Sequence, residues 1–149
     1  MRFFSKIALA SSVIFVASLS TTSSYAQTPN LKMTNPLLKR STLQYQAPPF
    51  NLIKDEHFKP AFEYALKVHN QEVRKIATNK AKPTFMNTVV ALEISGVDLN
   101  RGASNFYNLT GSNTNPTLQS IEADYAPIFS AHNDQIYLNS QLYNRFKAI

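Results

Sequence analysis

From Asp55 onward the apolar residues recur in steps of three and four, and this period constrains the fold more than any other feature of the chain. Between Asp55 and Thr78 the positions Phe62, Leu66, Val73 and Ile76 share a stripe with His69, the spacing of one helix face. Asp55 and Glu56 stand at the start of this helix and Arg74 and Lys75 near its end, the order a helix dipole favours. Pro60 falls in the first turn, where a missing N–H is tolerated. Thr84 is an N-cap for a second helix, whose stripe runs Phe85, Val89, Leu92, Gly96, Leu99, Ala103, Phe106 and Thr110. Gly96 and Gly102 each lower helix propensity there by up to about 1 kcal/mol. On the stripe, Gly96 is also a place where another helix can come close. Gly111 to Asn115 breaks the pattern. Asn115 then caps a third helix with Pro116 as its first residue. Its stripe is Leu118, Ile121, Tyr125, Ile128 and His132, it ends near Tyr137, and Pro127 is predicted to kink it. Asn139 or Ser140 caps a fourth helix, Gln141 to Ile149. No period-two run of useful length occurs, so the chain reads as all-α.

The first 54 residues are of another kind. Arg2 and Lys6 precede an apolar stretch, Ile7 to Leu19, and Ser24-Tyr25-Ala26 supplies small residues at a signal-peptidase site. At about 13 residues the stretch falls short of the roughly 20 that span a bilayer. Residues 1–26 therefore read as a cleaved signal peptide, the exported form starting at Gln27, with no stable membrane anchor after cleavage. Export of a chain without Cys fits a bacterial periplasm. Residues 27–54 are rich in Pro, Asn, Gln and Thr, and Pro29, Pro36, Pro48 and Pro49 forbid a long helix. This segment reads as an extended lead-in, with Leu37, Leu38, Leu43, Tyr45 and Phe50 available to pin it to a core. Residues 55–149 form the helical domain.

Chemistry is hard to find in these residues. The absence of Cys excludes thiolate zinc sites and a Cys nucleophile, and none of the 3 glycines falls in a phosphate-loop pattern. Of the histidines, His57, His69 and His132, no two lie four apart on a helix, and open zinc sites use three protein ligands. His69 and His132, on apolar stripes, read as hydrogen-bonded residues of the core or its boundary. Asp55-Glu56 reads as a complement to the helix dipole rather than an acid/base pair. Arg74, Lys75, Lys80 and Lys82 are the densest basic cluster of a chain with 15 Lys+Arg against 9 Asp+Glu. Only Phe85 lies near them for stacking, so nucleic acid is not an expected partner. No residue is assigned as catalytic, cofactor-binding or metal-ligating.

Several stretches, taken in order, carry more information than any one residue. Asn35-Pro36-Leu37-Leu38, Ser41-Thr42-Leu43 and Ala47-Pro48-Pro49-Phe50 are followed by Phe58-Lys59-Pro60-Ala61-Phe62. Next come Phe85 to Glu93 with Ser95-Gly96, and Asp134 to Asn139 with Leu142-Tyr143 and Arg145. Their order and spacing resemble the N-terminal part of the peptidyl-dipeptidase (dipeptidyl carboxypeptidase) branch of the thimet oligopeptidase family. The resemblance implies an antiparallel helical N-terminal region of a larger, mostly helical, two-lobed zinc metallopeptidase. It also implies hydrolysis of short peptides, with release of C-terminal dipeptides, in the full-length protein. The zinc and its general base belong to H-E-x-x-H in that family, and this motif occurs nowhere in the present sequence.

The expectation is thus a signal peptide followed by the first helices of such a peptidase, cut off early, inactive alone and binding no metal. The alternative is a stand-alone exported helical module that binds a peptide or protein. Tyr64, Val68, Val90, Ile94, Tyr107 and Phe129 lie off the stripes and widen the apolar faces. The fourth helix is shorter than the 12–15 residues that helices need without packing partners. A loosely packed chain, frayed beyond Asn139 and with exposed apolar surface, is predicted.

Overall fold

The computed structural model describes residues 34–149. The signal-peptide reading of residues 1–26 and the start of the lead-in lie outside the described residues. Among the described residues there is no strand. Short 3₁₀ turns at Pro36–Leu38, Gln44–Gln46 and Asp55–His57 lead into α1, Phe58–Ala77. In α2 the first residues, Met86–Val90, are π-helical and the last, Ala91–Glu93, are α-helical. Helices α3, Val97–Ser112, α4, Pro116–Tyr137, and α5, Ser140–Lys147, complete the fold.

Local chemistry sets the helix ends. Thr84 and Asn87 cap α2 reciprocally: Asn87 N donates to Thr84 Oγ1 at 3.2 Å and Thr84 N to Asn87 Oδ1 at 2.9 Å. Asn115 Oδ1 accepts from Leu118 N with Pro116 opening α4, and Asn139 Oδ1 accepts from Leu142 N to start α5, each at 2.9 Å. Helix α4 runs without interruption through Pro127, which is exposed. The predicted second helix is not continuous. The chain turns at Gly96, whose φ of +68° is left-handed, and what reads as one stripe is divided between α2 and α3.

The contacts give the course of the helices. Phe58 and Phe62 meet Phe106 edge to face, while His69, farther along α1, lies against Gly96, so α1 and α3 are antiparallel. Lys59 meets Asp124, Phe62 meets Phe129 and His69 meets His132, so α1 and α4 run parallel, with α3 returning the chain between them. Two apolar clusters result. The first joins Leu37 and Leu38 of the lead-in to Phe58, Phe62, Phe106, Leu118, Ile121 and Tyr125. The second joins Val73, Ile76 and Ala77 of α1 to Ile136 of α4 and Leu142 of α5. Each large side chain so buried contributes about 1.5–3 kcal/mol.

Several expectations are corrected here. Of the five lead-in residues named, only Leu37 and Leu38 pin it, with Ile53 packed against the same core; Leu43 and Phe50 are exposed, and Tyr45 is 93% exposed on a left-handed backbone, φ 56°. The pin succeeds because Asn35 is satisfied as it is buried: its Oδ1 accepts from Leu37 N and its Nδ2 donates to His57 O at 2.8 Å. Phe85 and Ile128, assigned to stripes, are exposed, whereas Phe129 packs against the first core. A π turn shifts the register of α2, and the face of α4 runs through Tyr125, Phe129, His132 and Ile136. Nor does the chain beyond Asn139 stand free, because Leu142 and Arg145 of α5 are buried.

Candidate functional site

Charged and polar residues that sequence alone singles out mostly serve the fold. His57 Nδ1 accepts from Lys54 N at 3.1 Å and so closes the turn before α1. Asp55 Oδ2 accepts from Asn115 Nδ2 at 2.8 Å, joining the start of α1 to the start of α4. Glu56 pairs loosely with Lys54 across exposed surface at 3.8 Å. Asp55 and Glu56 are therefore not set toward one another as acid and base. Arg74, Lys75, Lys80 and Lys82 are exposed.

A different group is brought together in the middle of the molecule. His69 of α1 and His132 of α4 meet with ring centroids 4.9 Å apart, and His132 Nε2 lies 2.9 Å from His69 Nδ1. The other nitrogen of His69, Nε2, is 3.1 Å from Ser95 Oγ, which itself donates to Leu92 O at 2.6 Å. Ser95 has one hydroxyl hydrogen and spends it on Leu92, so it accepts from His69 Nε2–H. His69 Nδ1 is then bare and accepts from His132 Nε2–H. The last nitrogen, His132 Nδ1, is bare, buried and without a hydrogen-bond partner among the described residues. The opposite arrangement would bury an unpaired N–H there and cost Ser95 its bond to Leu92, so the relay has one direction.

The bend at Ser95-Gly96 closes around this pair. Gly96 N donates to Glu72 Oε2 at 2.8 Å. A Cβ at position 96 would lie only 2.7 Å from His69 Cε1, so glycine is required both by its backbone and by the imidazole wedged against it. Leu99, Asn100, Ala103 and Tyr107 of α3 and Phe129 and Asn133 of α4 surround the pair in a cleft of about 420 Å³. Burial pushes His69 below the usual histidine value, against the opposing charge of Glu72. His132 is pushed down too, by burial first and by His69 second.

The sequence reading placed both histidines at the core or its boundary, hydrogen-bonded, and the structure does the same. What it missed is that they bond to each other, with Ser95, Gly96 and Glu72 in support. It also missed a second polar node. Arg145 of α5 is buried and its guanidinium donates to Asn79 O at 2.6 Å, Ala81 O at 3.2 Å, Asn87 Oδ1 at 2.8 Å and Thr88 Oγ1 at 3.3 Å. All four acceptors are uncharged. In the sequence Arg145 stands out only as part of a resemblance, and nothing local marks it as buried.

The zinc that the resemblance implies does not fit these residues. Among the described residues no three His, Cys, Asp or Glu cluster as a metal would need, and His69 and His132 turn their facing nitrogens to one another. No helix of the described residues is long and apolar enough to cross a membrane.

No family model matches the chain. It is 42% identical over 116 residues to a dipeptidyl carboxypeptidase of Salmonella typhimurium, a stretch covering 78% of this chain and 17% of that protein. To a dipeptidyl carboxypeptidase of Escherichia coli it is 38% identical over 115 residues, 77% of this chain and again 17% of the relative. Over that stretch the chain is similar to these two dipeptidyl carboxypeptidases. The branch resemblance, read over nearly all of Asn35 to Ile149, thus agrees with the named dipeptidyl carboxypeptidases. The share covered, 17% of their length, sets the scale of the likeness.

Proposed function

We propose that this chain is a non-catalytic helical portion of an exported zinc peptidyl-dipeptidase. Its helices help to wall the channel in which short peptides are held, and the metal and H-E-x-x-H are supplied by other polypeptide. The observation that carries this reading is the identity of 42% and 38% to two dipeptidyl carboxypeptidases, joined to the lack of H-E-x-x-H in the sequence. Residues 1–26, with their basic start, apolar stretch and Ser24-Tyr25-Ala26, support export, and a chain without Cys fits a bacterial periplasm.

Two measurements test it. The purified chain, supplied with zinc and a blocked peptide bearing a free C-terminus, is expected to release no dipeptide. Release that a chelator abolishes would overturn the non-catalytic reading. Exchanging this segment for the matching segment of a whole dipeptidyl carboxypeptidase is expected to give a hybrid that still releases dipeptides. A soluble, zinc-loaded hybrid without activity would contradict the scaffold role.

A further inference from the structure

The two apolar clusters share α1 and α4 but are not continuous. Along α1, Phe58 and Phe62 belong to the first and Val73 and Ile76 to the second. Along α4, Leu118, Ile121 and Tyr125 belong to the first and Ile136 to the second. His69 and His132 fall between them on both helices, so the direct contact that joins α1 to α4 at this level is one imidazole–imidazole hydrogen bond. We propose that this contact is a proton-operated latch: with both rings neutral it holds the two cores together, and uptake of one proton releases the half that carries Ile136 and Leu142.

The geometry leaves an added proton no good place. On His132 Nδ1 it would be a buried N–H without an acceptor, on a cation without a carboxylate against it. On His69 Nδ1 it would set two N–H groups face to face across 2.9 Å and break the bond. The surrounding elements give little compensation. From α1 the charged group acting on the pair is Glu72, and its Oε2 already accepts from Gly96 N. The bend contributes Ser95 and Gly96, α3 contributes Leu99, Asn100, Ala103 and Tyr107, and α4 contributes Phe129 and Asn133. Of these only Tyr107 is titratable, and it brings no negative charge in acid. Protonation is thus favoured only in a state where the ring nitrogens reach water. Proton linkage then makes the open population grow by up to about tenfold per pH unit for one proton, starting near the unfolded histidine value of about 6.5.

Amide hydrogen exchange on the full chain between pH 8 and 5, corrected for the intrinsic chemical rate, reads this directly. The expected result is that opening at Gly96, His132, Ile136 and Leu142 is flat above about pH 6.5. Below that it should rise by up to about tenfold per unit, while Phe62 and Phe106 stay protected. The variants H69Q and H132Q should each diminish the acid rise, the double variant should lose it, and H57Q should keep it. Where a variant does not fold, nitrogen shifts of the histidine rings in the native chain decide: both rings should carry their proton on Nε2 at pH 8. Opening independent of pH, an equal acid rise in both cores, or a rise undiminished in a folded H69Q or H132Q would each overturn the latch.

Discussion

Gly96 is where one residue decides the path of the chain. Its left-handed φ and the imidazole of His69 act together, since any side chain there suffers both the backbone penalty and the collision at 2.7 Å. Gly96→Ala is therefore expected to destabilise by about 2–4 kcal/mol, combining left-handed strain with overpacking. Chemical denaturation measures it, and the double variant with His69→Ala should recover the collision but not the backbone share. Gly111 makes the contrast. A Cβ there meets nothing within 4 Å, and the residue lies inside α3, so Gly111→Ala should stabilise by up to about 1 kcal/mol. Equal effects of the two substitutions would contradict this account. The sequence marked Gly96 as a point of close approach, because a glycine on an apolar stripe has few other uses. It did not mark the partner, since His69 reaches it through the fold and not through helix spacing. Ser95 and Glu72 were missed for the same reason: a lone Ser or Glu carries no pattern until two distant segments meet.

At the scale of elements, whatever depends on neighbours in sequence was legible. Thr84, Asn115 and Asn139 were all read as candidate caps and all three cap, because their bonds span only a few residues. The stripe of α1 placed Phe62, Val73 and Ile76 correctly, whereas the π turn in α2 moved Phe85 outward against its apparent period. The docking of α5 was not legible, because it rests on Arg145 reaching carbonyls 64 and 66 residues away. Those bonds give a helix of 8 residues its partners, and they tie it to both the end of α1 and the start of α2. Arg145→Met should cost on the order of 3 kcal/mol, since it removes the four charge-assisted hydrogen bonds that the buried guanidinium gives to Asn79, Ala81, Asn87 and Thr88. Arg145→Lys should recover little, because an ammonium lacks the planar fork that meets four acceptors at once. Hydrogen exchange should show α5 losing protection in both variants while Phe62 and Phe106 keep theirs. Unchanged protection at Leu142 in a folded Arg145→Met chain would remove Arg145 as the anchor.

Taken whole, the molecule pairs a strong core with a weaker one. In the first core the rings of Phe58, Phe62 and Phe106 lie within 6 Å of one another and Tyr125 lies 5.1 Å from Phe62, in edge and tilted contacts. The second has no ring among its buried members and borders exposed Tyr137, Leu138 and Tyr143. Of the residues read in the sequence as widening the apolar faces, Ile94 and Tyr107 are exposed, whereas Tyr64 and Phe129 pack against the first core. The division into two cores was hidden there, because the stripes pass through His69 and His132 without a break in period. pH acts differently on the two. The native values of His69 and His132 lie below 6.5, the value the unfolded chain restores. In acid the unfolded chain therefore binds more protons, so the stability these groups allow is complete above about pH 6.5 and is lost as pH falls toward their native values. Tyr125 in the first core is raised by burial and by Glu63, which removes stability only in strong alkali, as pH climbs past its ordinary 10.0. Thermal unfolding followed by circular dichroism should accordingly be one transition at pH 7.5. At pH 5 it should separate into an early loss of helix from the α4–α5 end and a later loss from the first core. Acid that lowers a single, equally sharp transition would show that the histidine layer does not divide the molecule.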